Sequence, residues 1–273
     1  MQIEQRPARA GWQWIKDGFA LLRSYPIPLL TLTFLYLLML TVPSMLPGIG
    51  GFIPLLLTPL LAVGLMTAML AAEQGRPPMP RLLFQGVWVD GGQAWKPLLI
   101  LGGLNLVTTL GALMLASLVD DGTLMRLITG QVERDDPGLG EIDLMIAAAV
   151  FLVLYTPIQM ALWFAPLFVA WHRIAPVKSM FFSLVAVWRN RGAFLIYALG
   201  WLAIAVALSM AIQILSRTLD PGPLILSFVL SPLSLAMLAA LYASSWISYR
   251  DTVRDGFRDI AALDEQTNKK NPP

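Results

Sequence analysis

Residues 51–72 read GFIPLLLTPLLAVGLMTAMLAA, with no charged side chain in 22 positions. At 1.5 Å per residue such a helix covers about 33 Å, which matches a hydrocarbon core of ~30 Å. Working outward, five more stretches have the same character: 27–46, 97–119, 142–171, 195–215 and 223–248. None carries a charge near its centre, where one Lys, Arg or Asp would cost about 2.5–3.5 kcal/mol. The stretch 142–171 is too long for one straight span, and Pro157 and Pro166 are the expected bends. The fold class that follows is an all-α membrane protein with six transmembrane helices. The totals agree: 57% of the 273 residues are hydrophobic and 13% charged, against about 25% charged in soluble domains.

The same arithmetic excludes several function classes. There is no cysteine, so disulfides and thiolate metal sites are excluded, and His172 is the one histidine. No phosphate-cradling loop, zinc-protease motif or soluble nucleophile set is present. No enzyme activity and no cofactor are expected. No cleavable signal is expected either: the first 28 residues carry Arg6, Arg9, Lys16 and Arg23 and lead into a span that reads as retained.

Sixteen of the 19 Lys and Arg residues fall on one side of this threading. They lie in the N-terminal segment, the loops after spans two and four, and the C-terminal tail. The opposite side holds Arg126, Arg134 and Arg217. The excess of basic residues marks the cytoplasmic side, so both termini are expected there, in a bacterial plasma membrane. The loop 120–143 on the other side is acidic, and it lacks the spacing of a calcium loop.

The chain also repeats itself. Each odd-numbered span follows a stretch with amphipathic spacing. In 177–188, Val177, Met180, Phe181, Leu184, Val185 and Trp188 share one helical face. In the first stretch, Trp12, Ile15, Phe19 and Leu22 do so; 81–96 is interrupted by Asp90-Gly91-Gly92. Tryptophans at 12, 14, 88, 95 and 188 suit the headgroup layer. Each even-numbered span carries a hydroxyl–proline pair: Thr58-Pro59, Thr156-Pro157 and Ser231-Pro232. Proline frees a backbone carbonyl, which in lipid needs an internal partner, and the neighbouring hydroxyl is a candidate. The organisation expected is one membrane domain, 1–250, of three hairpin repeats (10–75, 78–174 and 176–250) that can be arranged about a pseudo-threefold axis. A short cytoplasmic tail, 251–273, follows.

The opening Gly11-Trp12-Gln13-Trp14-Ile15, then Gly18-Phe19-Ala20-Leu21-Leu22-Arg23 and Pro26, resembles the start of a family of uncharacterised proteobacterial inner-membrane proteins. The six-span layout with hydroxyl–proline pairs also fits that family. More distantly it is similar to the membrane domain of bacterial glycerophosphodiester phosphodiesterases and to YciC-like proteins. The resemblance implies a bacterial inner-membrane address and carries no catalytic residue to this chain.

Polar residues inside spans are the first candidates for function. Asn105, Gln159 and Gln213 qualify, and interhelical hydrogen bonding is the reading favoured for them. His172 sits among basic interface residues and reads as part of that belt. Small-residue stripes (Gly64, Ala68, Ala72; Ala203, Ala207, Ala211; Ala236, Ala240, Ser244, Ser248) are expected to pack inside the bundle, and secondarily to form a dimer face. The strongest functional feature is the basic edge of the leading helices. Arg23, Lys96, Lys178, Arg189 and Arg191 are the lipid-headgroup candidates. The expected partners are membrane lipids, anionic ones in particular, with a homo-oligomer or a membrane-protein partner as further options and no nucleic acid. The alternative is a permease for an uncharged or amphipathic solute, which requires the kink candidates Pro59, Pro157 and Pro232 to line one cavity.

Overall fold

The computed structural model describes residues 2–120, 122–123, 126, 141–219 and 222–254. Most of the acidic loop and the tail from 255 onward, including Arg134 and Lys269–Lys270, lie outside them. Six helices are long and apolar enough to cross a membrane: Pro26–Ser44, Gly50–Glu73, Trp95–Ser117, Leu144–His172, Arg191–Ser216 and Leu230–Thr252. Each overlaps one of the stretches read from the sequence.

The first helix, α1 (Ala10–Ser24), leads into α2 (Pro26–Ser44), with Pro26 at a position where its missing N–H costs nothing. A 3-10 turn precedes α3 (Ile53–Glu73), and a second one precedes α4 (Gln85–Gly92) and α5 (Trp95–Ser117). The fourth stretch is two helices, α6 (Glu141–Leu162) and α7 (Ala165–His172). Then come α8 (Pro176–Arg189), α9 (Arg191–Leu219) and α10 (Gly222–Thr252). Two short strands, β1 (Gln2–Ile3) and β2 (Val253–Arg254), pair antiparallel. The first and last described segments therefore lie side by side.

The long fourth stretch breaks at Trp163-Phe164 rather than at Pro157, with Pro166 in the first turn of α7. The break leaves backbone groups that lipid cannot satisfy. Ser183 of α8 supplies them: its hydroxyl accepts from the Phe164 N–H at 2.9 Å and donates to the Met160 carbonyl at 2.8 Å.

The kink in α3 is satisfied differently from the expectation. Pro59 removes the donor for the Leu55 carbonyl one turn earlier. The Thr58 hydroxyl does not fill that role, because it donates to Pro54 at 2.7 Å. Instead the side-chain amide of Asn105, on α5, donates to the Leu55 carbonyl at 3.1 Å. Asn105 is thus an interhelical bond with a specific cause. Replacing it with leucine should cost about 1 kcal/mol, read as a lower melting temperature in detergent. Pro59→Ala restores a backbone donor to Leu55, so Asn105→Leu should cost less in that background. Equal costs in both backgrounds would refute the assignment.

Helix packing depends on glycines at contacts too close for a side chain. A Cβ at Gly18 of α1 would lie 2.6 Å from the Ser244 Cβ on α10, and one at Gly102 of α5 would lie 2.2 Å from the Leu56 carbonyl oxygen. Gly64, Ala68 and Ala72 are buried, as are Ala240, Ser244 and Ser248. The third stripe departs from the expectation: Ala203, Ala207 and Ala211 are exposed on α9. That helix packs mainly through its first turns, against α1, and its outer positions Leu199, Leu202, Val206 and Met210 are all exposed.

The leading helices differ from simple surface helices. In α1 the buried face is Ala10, Gly11, Trp14, Ile15, Gly18, Leu21 and Leu22, and it packs on α10 and α9. Trp12 stays exposed, while Trp14 is fully buried and so is not part of a headgroup belt. In α8 the serine side is inside, with Ser179, Ser183, Ala186 and Val187 buried, while Val177, Phe181 and Trp188 of the apolar stripe face outward. The outward turn follows from the repair of the fourth stretch, which needs Ser183 pointing in.

Candidate functional site

Two constructions stand out. The first is a polar and aromatic cluster where the first and last described segments meet. Glu73, at the end of α3, is paired with Arg250 and accepts from the Trp246 indole at 2.9 Å. Arg250 also pairs with Asp251 at 2.9 Å, and Asp251 accepts from the Trp14 indole at 3.1 Å. Asn190 accepts from the Arg6 N–H at 2.7 Å and donates to the carbonyls of Glu4 and Ala186. His172 meets the Tyr249 hydroxyl at 3.1 Å, so it belongs to this cluster. The cluster pairs most of its donors and acceptors, the buried Thr252 hydroxyl excepted, and joins six segments, which makes it a clasp. It also carries the chain past residue 250 inside the body: Val253 is buried and Glu4 N–H donates to the Thr252 carbonyl. Residues 251–254 are thus part of the packed body, and the rest of the expected tail lies outside the described residues.

The second is a groove of about 620 Å³ between α6 and α9. One wall is Leu152, Tyr155, Thr156, Gln159, Met160 and Trp163 of α6 and its end; the other is Arg191, Phe194, Leu195, Ala198 and Trp201 of α9. Trp188 stands at its mouth, and Tyr197 and Leu241 close its back. The ten residue steps from Arg191 to Trp201 correspond to about 15 Å of helix, half the hydrocarbon core. Two polar groups at the back are already bonded: Tyr197 with the Ser244 hydroxyl at 2.8 Å, and the Trp163 indole to Ser248 at 3.4 Å. Thr156 donates to its own helix at Leu152. Arg191, at the mouth, reaches the Trp188 carbonyl at 3.5 Å, and the hydrogen-bonded Tyr155–Gln159 pair and the Trp201 indole lie deeper in.

The sequence singled out Arg191 and Gln159. It missed Tyr155, Trp163, Phe194, Ala198 and Trp201, although Tyr155, Gln159 and Trp163 recur at four-residue spacing on one face of α6. The headgroup candidates Arg23, Lys96, Lys178, Arg189 and Arg191 are all exposed, and only Arg191 lines the groove. Three sit over rings at the starts of helices: Lys96 over Trp95 at 5.5 Å, Lys178 over Phe182 at 5.7 Å and Arg191 over Trp188 at 5.8 Å. The prolines do not converge. Pro59 is buried within α3; Pro157 is exposed; Pro232 lines a separate hollow of about 440 Å³ with Phe34 and Leu37. Gln213 is exposed on α9. Among the described residues no three His, Asp or Glu side chains converge as a metal site requires.

Six helices among the described residues, each long and apolar enough to cross a membrane, define an integral membrane protein. The chain is 38% identical over 252 residues, 92% of its length and 93% of the relative's, to a probable inner membrane protein of Burkholderia thailandensis. The chain belongs to that family, and it is a multi-pass inner-membrane protein. No family model and no solved structure matches it. These comparisons give no support to the more distant likeness to glycerophosphodiester phosphodiesterases.

Proposed function

We propose that the protein is a non-enzymatic membrane protein that binds anionic lipid at the cytoplasmic leaflet, with both termini in the cytoplasm. It is built as three hairpins, each led by a helix at the membrane surface. The observation that carries this reading is the set of exposed cations held over aromatic rings, Lys96, Lys178 and Arg191. A ring at the headgroup layer fixes the depth of a charge that attracts lipid phosphate. Each such cation contributes about 1 kcal/mol towards an anionic leaflet. The hairpin reading is supported for the first two pairs of spans, α2 on α3 and α5 on α6, which pack on each other. The helices α4 and α8 lie on the even span before them, α3 and α6, while α1 lies on the last span, α10. The sequence of contacts thus closes on itself, and β1–β2 pairing closes the chain.

The test is native mass spectrometry from mild detergent, with equal phosphatidylglycerol and phosphatidylcholine offered. The wild type is expected to retain phosphatidylglycerol preferentially. Replacing Arg23, Lys96, Lys178 and Arg191 together with glutamine should reduce that preference at least tenfold. A wild type with no preference, or a preference that survives all four changes, overturns the reading.

A further inference from the structure

We propose that the groove between α6 and α9 is a site for one anionic phospholipid molecule, its phosphate at Arg191 and one acyl chain laid along the groove; this deepens, and rests on, the lipid-binding reading above. The groove is the place where a cation and a deep apolar trough occur together. Arg191 begins α9 at its mouth and is the only one of the five headgroup candidates that lines it. Guanidinium suits phosphate because its planar fork offers paired donors. The Trp188 ring beneath it limits how far the side chain can swing.

The polar pair deeper in agrees with the geometry of a glycerolipid. Trp163 and Phe194 touch, with ring centroids 5.8 Å apart, which sets the level of α6 against α9. From there Gln159 lies one turn further into the membrane, and Arg191 lies most of a turn outward. Gln159 is therefore about 10 Å below Arg191 along the helices. An amide at that depth faces the ester carbonyls of a lipid whose phosphate sits at the mouth. Its N–H groups are the donors that an ester carbonyl lacks elsewhere in the bilayer. Ala198 lies level with Gln159, and beyond it the lining is Leu152, Tyr155, Thr156 and Trp201, mostly apolar surface for an acyl chain. A volume of about 620 Å³ is that of a site for one small amphiphile. The second chain stays in the surrounding lipid through the open side. Splaying of α9 away from the bundle, packed chiefly on α1 at its start, is what keeps the trough open.

The test uses the full chain in the same native mass spectrometry, with phosphatidylglycerol as the probe. Ala198→Trp fills the trough and changes no charge. Arg191→Gln removes the anchor. Arg81→Gln removes an equal charge at an exposed position outside the groove. The wild type should hold one phosphatidylglycerol at activation energies that strip the others. Ala198→Trp and Arg191→Gln should lower retention of that molecule about tenfold, and Arg81→Gln should leave it within twofold. Retention unchanged in Ala198→Trp, or equally reduced in Arg81→Gln, overturns the groove assignment, and so does an adduct with the mass of a free fatty acid. If Ala198→Trp retains phosphatidylglycerol while the fourfold cation variant loses it, the groove fails and the surface reading stands. If the wild type shows no preference, both fail. Circular dichroism and a melting curve for Ala198→Trp, expected near wild type, separate a blocked groove from a misfolded chain.

Discussion

Gly102→Ala is expected to lower stability by about 3 kcal/mol, while Gly103→Ala, on the next residue of the same helix, is neutral or stabilising. A Cβ at Gly102 would sit 2.2 Å from the Leu56 carbonyl oxygen and 2.8 Å from its carbon. At Gly103 nothing lies within 4 Å. The obstacle at Gly102 is backbone, so no rotamer change relieves it, and α5 must move off α3. That puts the cost at the upper end for overpacking. It is compounded because Asn105, one turn away, loses its reach to the Leu55 carbonyl freed by Pro59. At Gly103 the methyl only removes backbone freedom, a gain of up to about 1 kcal/mol. Thermal melting of both variants in one detergent decides it, with size-exclusion chromatography as the second measure. Equal melting temperatures would show that the α3–α5 crossing is looser than these distances require.

The contrast shows which parts of the fold are legible in a sequence. The six spans were, because lipid demands long uncharged helices and permits little else. The break in the fourth stretch was legible as excess length, but not its location. That depends on Ser183, which is 19 residues beyond Phe164 and whose repair role only the packing reveals. Asn105 was legible as an interhelical bond, and its partner was not. The hydroxyl beside Pro59 looked sufficient until its own bond to Pro54 removed it. The small-residue stripes illustrate the same limit. Gly64-Ala68-Ala72 and Ala203-Ala207-Ala211 have like spacing, yet the first is buried and the second exposed. Periodicity identifies a face, and only neighbouring helices decide what covers it. The groove was half legible. Arg191 and Gln159 stood out as charge and amide, while the aromatic lining looked like ordinary span composition.

The clasp gives the other large expected effect. Asn190→Leu should cost about 2–4 kcal/mol and release residues 2–9 from the bundle. Asn190 is 1% exposed and caps the end of α8. Its oxygen accepts from the Arg6 N–H at 2.7 Å, and its nitrogen donates to the carbonyls of Glu4 at 3.0 Å and Ala186 at 2.9 Å. Leucine has the same branched four-atom side chain with bulkier methyl ends, so some overpacking adds to the cost of the lost bonds. Two backbone groups of the N-terminal segment lose their partner in a partly buried place, each costing about 1–3 kcal/mol. The segment's remaining ties include β1–β2 pairing over two residues, the packing of Ile3 on the core, the Glu4 N–H bond to Thr252, the ion pair of Glu4 with Arg254, and the Arg6 bond to the Asp251 carbonyl. A two-stranded ladder of that length does not hold alone. Hydrogen exchange on the protein in detergent should therefore show residues 2–9 losing protection, with α3 and α5 unchanged. Asn190→Asp keeps the acceptor for Arg6 and loses the two donations, so it should fall between wild type and leucine. Protection of residues 2–9 that is untouched by leucine would mean that the strand pair, rather than Asn190, fastens the N-terminal segment to the far end of the chain.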